Sequence, residues 1–144
     1  MRSGELEVRA IDTPGHCRDH LALLVGEADC LTADVLFKGT VGGTGGGSFE
    51  ELQASVMDGL MRLDPATRVH PGHKEPTTIA DEWASNPFIR VWRGLDPEGS
   101  EPCRVRGEEA TLVLWAPDYD GGHKAWVRYP DDRDAIVGGS QVER

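Results

Sequence analysis

No apolar run in this sequence is long. Leu6–Ile11, His20–Val25 and Cys30–Phe37 each reach a turn rich in Pro, Gly or Asp within eight residues. A membrane span needs about 20 consecutive apolar residues. A chain punctuated this finely folds instead as short strands and short helices stacked in layers. LEVRAI alternates apolar and polar, the pattern of a half-buried strand, and enters Asp12-Thr13-Pro14-Gly15-His16, a turn by its Pro-Gly pair. HLALLV reads as a second strand, and CLTADVLF as a returning one beyond Gly26–Asp29.

Gly39–Gly47 (GTVGGTGGG) is glycine-rich, but no Gly-Lys-Ser/Thr closes it, so it is not a phosphate loop. It reads as a flexible connection to a helix. Ser48 with Glu51 makes a capping box, and Phe49, Leu52, Val56, Leu60 and Leu63 keep helical spacing up to the Asp64-Pro65 stop. Arg68–His73 is a short strand entering a turn. Thr78 and Asp81 open a second helix that runs to about Ser85 and stops before Asn86-Pro87. Asp96–Ser100 has linker composition. Beyond it Cys103–Arg106, Ala110–Trp115, Lys124–Tyr129 and Asp134–Val137 are β-like runs separated by turn signals. Such spacing predicts a small SH3-like β-barrel over 94–144, distinct from a unit over 1–93. Trp115, Tyr119, Trp126 and Tyr129 are expected to fill its core.

Charge and cysteine content narrow the class. The 25 acidic against 15 basic residues give a net charge of −10. That surface repels phosphate backbones and anionic lipid, so neither nucleic acid nor membrane is expected as a partner. MRSGELEVRAID has no apolar core of a signal peptide, and three cysteines are an odd, sparse set. Both features point to a reducing cytoplasm. Cys17 is expected to be an ordinary buried thiol.

Three polar residues stand where predicted strands run into turns: His16 after Thr-Pro-Gly, Asp34 after Leu-Thr-Ala, and His73 after Pro-Gly. Residues there are held by a rigid sheet yet open to ligands. Two imidazoles and a carboxylate suit zinc or iron. Their surroundings go further. TPGHCRDHLALLV, TADVLF and HPGHKEPTTIADEWASNPF resemble the metallo-β-lactamase superfamily, in particular its glyoxalase II-like hydrolases. The family patterns are TPGH, GDxLF, PGHG and T-x-x-x-E-x-x-x-NP. The resemblance covers about residues 6 to 92, in order.

The resemblance implies an α+β fold: the C-terminal half of the family's αββα sandwich, here followed by the β-barrel. It implies His16 as a ligand of a first metal, Asp34 as the bridge between two metals, and His73 as a ligand of the second. The metals implied are two zinc ions per completed site, with iron or manganese as alternatives. A metal pair lowers the pKa of a water toward neutrality, which suits hydrolysis of an ester or thioester in a small-molecule substrate. The family's opening HxHxDH, which supplies further ligands, is not found among His16, His20, His70, His73 and His123. The expected reading is a fragment, inactive by itself, completed by a missing N-terminal half or by a homo-oligomer. Two alternatives stand beside it: a non-catalytic interaction module derived from the fold, and a single-iron sulfur dioxygenase. Ala33 and Lys74 occupy positions where the family has glycine, and Lys74 is a candidate contact for an anionic substrate group.

Overall fold

The computed structural model describes residues 2–3 and 6–144. Met1, Gly4 and Glu5, part of the stretch read for a leader, lie outside the described residues. Strands β1 (Arg2–Ser3), β2 (Leu6–Asp12), β3 (Leu21–Val25) and β4 (Asp29–Ala33) form an antiparallel meander. The short hairpin β5 (Leu36–Phe37) and β6 (Thr40–Val41) follows. Then come α1 (Phe49–Ala54), β7 (Arg68–Pro71), β8 (Thr77–Thr78), α2 (Ile79–Ser85) and α3 (Pro87–Trp92). β7 joins β4 in parallel, so the six-stranded sheet runs β1-β2-β3-β4-β7-β8. The hairpin and α1 make the crossover that a parallel pair requires.

The capped helix predicted from Ser48 is present, with the Ser48 side chain accepting from the Glu51 N–H. Past Ala54 it loosens into a π turn over Ser55–Gly59 and ends as a 3-10 turn over Leu60–Arg62. Phe49, Leu52, Val56 and Leu60 stay buried throughout. Asn86-Pro87, expected only as a stop, also starts α3. The Asn86 carboxamide caps the Phe88 and Ile89 N–H groups, and proline at the first helical position gives up no needed donor.

β9 (Glu101–Val105), β10 (Glu108–Pro117), β11 (His123–Arg128), β12 (Asp134–Gly138) and β13 (Val142–Glu143) form a second antiparallel sheet, ordered β12-β11-β10-β9-β13. A 3-10 turn over Gly139–Gln141 carries the chain back to pair β13 with β9. One face of this sheet has its own small core of Cys103, Val105, Ala110, Leu112, Ala125 and Val127. The other face is not free. Val113, Ala116, Trp126 and Ile136 join Leu52, Phe88 and Ile89 in the main core. A register break in β10 between Leu112 and Leu114 lets the two neighbours Val113 and Leu114 both pack on the main core, while Leu112 faces the second one. The four aromatics therefore separate. Trp126 packs 5.0 Å from Phe49 in the main core, Trp115 stacks on His123 at 4.7 Å, Tyr129 lies under Arg133, and Tyr119 leaves the sheet altogether.

The first sheet has one covered and one open face. Ala22, Cys30, Thr32 and Val69 point into the core, whereas Leu21 is 47% and Leu31 is 42% exposed. Leu23 pairs with Leu31 and Val8 with Val25 in the ladder, so the open face carries an apolar stripe. Among the described residues no helix is long and apolar enough to cross a membrane.

Candidate functional site

The three expected residues lie where β2, β4 and β7 run out into turns. His16 leaves the Pro-Gly turn after β2, Asp34 the turn after β4, and His73 the Pro-Gly turn after β7. Because β4 and β7 are parallel neighbours, Asp34 and His73 emerge side by side, with His73 Nε2 3.6 Å from Asp34 Oδ1. That is too long for a hydrogen bond, and both groups are open to solvent. The His16 Nδ1 is 2.8 Å from the Gly43 carbonyl oxygen. A carbonyl only accepts, so Nδ1 carries a proton, and in the neutral imidazole that makes Nε2 the lone-pair nitrogen. Metal-binding imidazoles are commonly oriented by a hydrogen bond from the other ring nitrogen in this way.

His20, passed over in the sequence, is the residue that ties the site together. Its Nδ1 lies 2.8 Å from Thr13 Oγ1, and its Nε2 accepts the Asp34 backbone N–H at 3.2 Å. Both ring nitrogens are engaged, so His20 is a brace between the Thr-Pro-Gly turn and the Asp34 turn. Burial pushes its pKa down; His16 adds to this, and Asp34 opposes it. His70 is committed elsewhere: its Nε2 lies 2.8 Å from Asp29 Oδ1. The Arg68 guanidinium, and then His70, hold the Asp29 carboxyl well below the usual carboxylate range.

The glycine-rich segment, expected to be a flexible connection, is packed into the site. Thr40, Val41, Gly42 and Thr44 are buried. Gly43 accepts from His16, while the Thr44 N–H and hydroxyl oxygen both engage the Ile136 backbone of β12 at 2.9 Å. A side chain on Gly42 has no room, because a Cβ there lies 2.0 Å from the Asp34 carbonyl oxygen. Cys17 is exposed, not buried, because it sits in a bridge with Gly46 at the rim of this loop. Cys30 and Cys103 are the buried thiols, and burial pushes the Cys30 pKa up to about 11.

A second support was hidden inside α2. Glu82, 1% exposed, accepts from the Gly39 N–H (2.9 Å), the Asn86 amide (2.9 Å) and the Thr77 hydroxyl (2.8 Å). The Asn86 amide also reaches the Thr40 carbonyl at 3.2 Å. The Glu and Asn of the T-x-x-x-E-x-x-x-NP segment thus clamp the β5–β6 hairpin that follows Asp34.

Ala33 and Lys74 explain the family's glycines. Both have left-handed backbone, with φ of 47° and 72°, a conformation that costs a non-glycine residue about 1–2 kcal/mol. Ala33→Gly and Lys74→Gly are each expected to raise stability by about 0.5 kcal/mol, the strain relieved less glycine's greater unfolded-state entropy. Urea midpoints check this. Lys74 lines an open cavity of about 550 Å³ with Lys38, Glu75 and Thr77, beside His73.

The donors fit a borderline divalent metal in kind but not in number. Among the described residues no three His, Cys, Asp or Glu side chains converge closely enough to hold an ion. Asp34 and His73 form a two-donor corner, and among the described residues His16 does not join it within reach of one ion.

No protein-family model matches the chain. A human protein named hydroxyacylglutathione hydrolase-like is 35% identical over 122 residues, covering 75% of this chain and 41% of its own length. The di-iron-bound form of TTHA1623 superposes with a TM-score of 0.54 and 39% identity, over 56% of this chain and 42% of that one. BLEG-1, a B3 metallo-β-lactamase, superposes with a TM-score of 0.59 and 33% identity, over 62% and 44% of the two chains. The chain belongs to the metallo-β-lactamase superfamily. It spans 37–44% of the length of the curated relatives it matches.

Proposed function

We propose that this chain supplies part of the metal centre of a metallo-β-lactamase-type hydrolase, with His16, Asp34 and His73 as ligands. The carrying observation is the Asp34–His73 corner on parallel neighbouring strands, with the His16 imidazole oriented by Gly43 so that its neutral form has the lone pair on Nε2. Bound divalent metal supplies Lewis acidity and lowers the pKa of a water. The chain's own residues do the rest. His20 fixes the Asp34 turn, Glu82 and Asn86 hold the hairpin behind it, and Lys74 is placed to attract a substrate anion. The hydroxyacylglutathione hydrolase-like name of the human relative supports a thioester or ester as substrate, and the di-iron-bound relative supports iron alongside zinc and manganese as the metal.

With two donors at one corner, turnover is proposed to need ligands from outside these residues, from a preceding half or a second copy. The open face at Leu21 and Leu31 offers such a partner an apolar seat. That same face favours the second reading, an interaction module without catalysis. The 94–144 stretch is proposed as an SH3-like barrel, a second unit in sequence that packs Val113, Ala116, Trp126 and Ile136 into the main core of residues 1–93. A four-strand meander whose fifth strand returns to the first supports this.

Calorimetric titration of the purified chain with zinc, manganese and ferrous iron tests the ligand set. Asp34→Asn and His73→Ala are each expected to weaken binding at least about tenfold. Affinities unchanged in both variants overturn the assignment. Thiol release from an acyl-glutathione thioester is expected only when a polypeptide carrying an HxHxDH segment is added.

A further inference from the structure

Tyr119 comes from the second sheet but ends in the candidate site. It sits at the tip of the β10–β11 hairpin, and its ring lies 4.5 Å from that of His73 with only 7° between the planes. Phe37, which follows Asp34 in the TADVLF segment, lies 5.0 Å from Tyr119 on another side. Nothing in the family motifs calls for this residue.

The hairpin tip holds Tyr119 firmly. Asp118 Oδ1 accepts the Tyr119 N–H at 2.8 Å, and Asp118 Oδ2 pairs with Lys124 Nζ at 3.3 Å, with both side chains nearly sealed from water. The Lys124 ammonium also lies 5.4 Å from the Tyr119 ring and 5.9 Å from that of Phe37. The Asp118 N–H donates to the Gly122 carbonyl, and the Gly122 N–H to Asp120, closing the turn. Besides Tyr119, His73 neighbours Phe37, tilted at 6.1 Å between ring centroids, and Asp34, and it leaves an exposed Pro-Gly turn. A stacked ring restricts the rotation of an imidazole at an otherwise open position.

We propose that Tyr119 is a positioning residue. By stacking on His73 it holds that imidazole with Nε2 toward Asp34, so the second sheet is a working part of the site and not an appended module. The inference rests on the proposed ligand role of His73 for its consequence, but not for its geometry. Its test therefore has two readouts.

The first is the proton NMR spectrum of the metal-free chain, with the His73 ring signals assigned through His73→Gln. Tyr119→Ala is expected to move the His73 ring protons downfield, out of the shielding of the tyrosine face, and Tyr119→Phe to leave them in place. His73 signals unmoved by Tyr119→Ala, or moved as far by Tyr119→Phe, overturn the proposal. Tyr119 is 37% exposed, so the variants should fold, and the methyl region of the same spectra verifies it.

The second readout is cobalt(II) titration followed by its visible bands. Tyr119→Ala is expected to weaken binding about tenfold, with Tyr119→Phe restoring it. Equal affinity in all three proteins overturns the positioning role. If the unmodified chain binds no cobalt, the metal reading fails, while the His73 signals still decide whether Tyr119 holds the ring.

Discussion

Gly42→Ala is expected to destabilise the chain by about 3 kcal/mol or more and to disrupt the Asp34 turn. Overpacking in a well-filled interior costs about 1–3 kcal/mol when side chains give way. Here the new methyl meets main chain: its Cβ lies 2.0 Å from the Asp34 carbonyl oxygen and 3.2 Å from His16 Nδ1. Neither neighbour has a free direction to retreat. The Asp34 N–H is held by His20, and the His16 Nδ1–H by the Gly43 carbonyl. Any relief therefore breaks one of the two bonds that orient candidate ligands. Urea denaturation measures the stability loss, and metal titration of the surviving folded fraction measures the damage to the site. Gly45→Ala is the control, because nothing lies within 4 Å of a Cβ placed there. If Gly42→Ala proves as mild as Gly45→Ala, the glycine-rich segment does not pack on the site as described.

That contrast also shows what a sequence can and cannot reveal. Pro14-Gly15 and Pro71-Gly72 announce turns through their own backbone preferences, so the positions of His16 and His73 at strand ends were legible. The alternation in LEVRAI and the capping pair Ser48–Glu51 were legible for the same local reason. Gly42 and Gly45 look identical as letters. Only the approach of Asp34 makes one indispensable, and that approach depends on a fold in which the loop turns back on the strand before it. His20 was missed because its partners, Thr13 and Asp34, lie on different turns. Tyr119 was missed because no local pattern places a hairpin tip of the second sheet over β7. The Asn86-Pro87 start of α3 was readable: asparagine before proline is as good a cap as a stop, and the apolar residues after it had helical spacing. The metal count was the least legible quantity, since side chains at three strand ends need not converge.

Glu82 carries the other large effect. Glu82→Leu keeps roughly the same bulk in α2 but leaves the Gly39 N–H, the Asn86 amide and the Thr77 hydroxyl without their acceptor. Each buried donor left unmade costs about 1–3 kcal/mol, so the expected loss is about 3 kcal/mol or more. Glu82→Gln separates charge from connectivity. Its carbonyl oxygen still accepts on one side. Its NH2 group, however, faces donors on the other: the Gly39 N–H and Asn86 amide converge on Oε1, and the Thr77 hydroxyl on Oε2. The hydroxyl is the one donor that can turn round and accept. Glu82→Gln is therefore expected to cost only about 1–2 kcal/mol, about one impaired bond, with the amide directed to Thr77. Thr77→Val should then cost less in the Glu82→Gln background than in the parent, because the charge-assisted bond from the hydroxyl to the carboxylate is worth more than the impaired bond from the amide. A double-mutant cycle by urea denaturation gives that coupling. A cost of Thr77→Val that does not fall in the Glu82→Gln background would mean that the Thr77 hydroxyl does not donate to Glu82 as described. The clamp on the β5–β6 hairpin behind Asp34 would then rest on the Gly39 and Asn86 bonds alone.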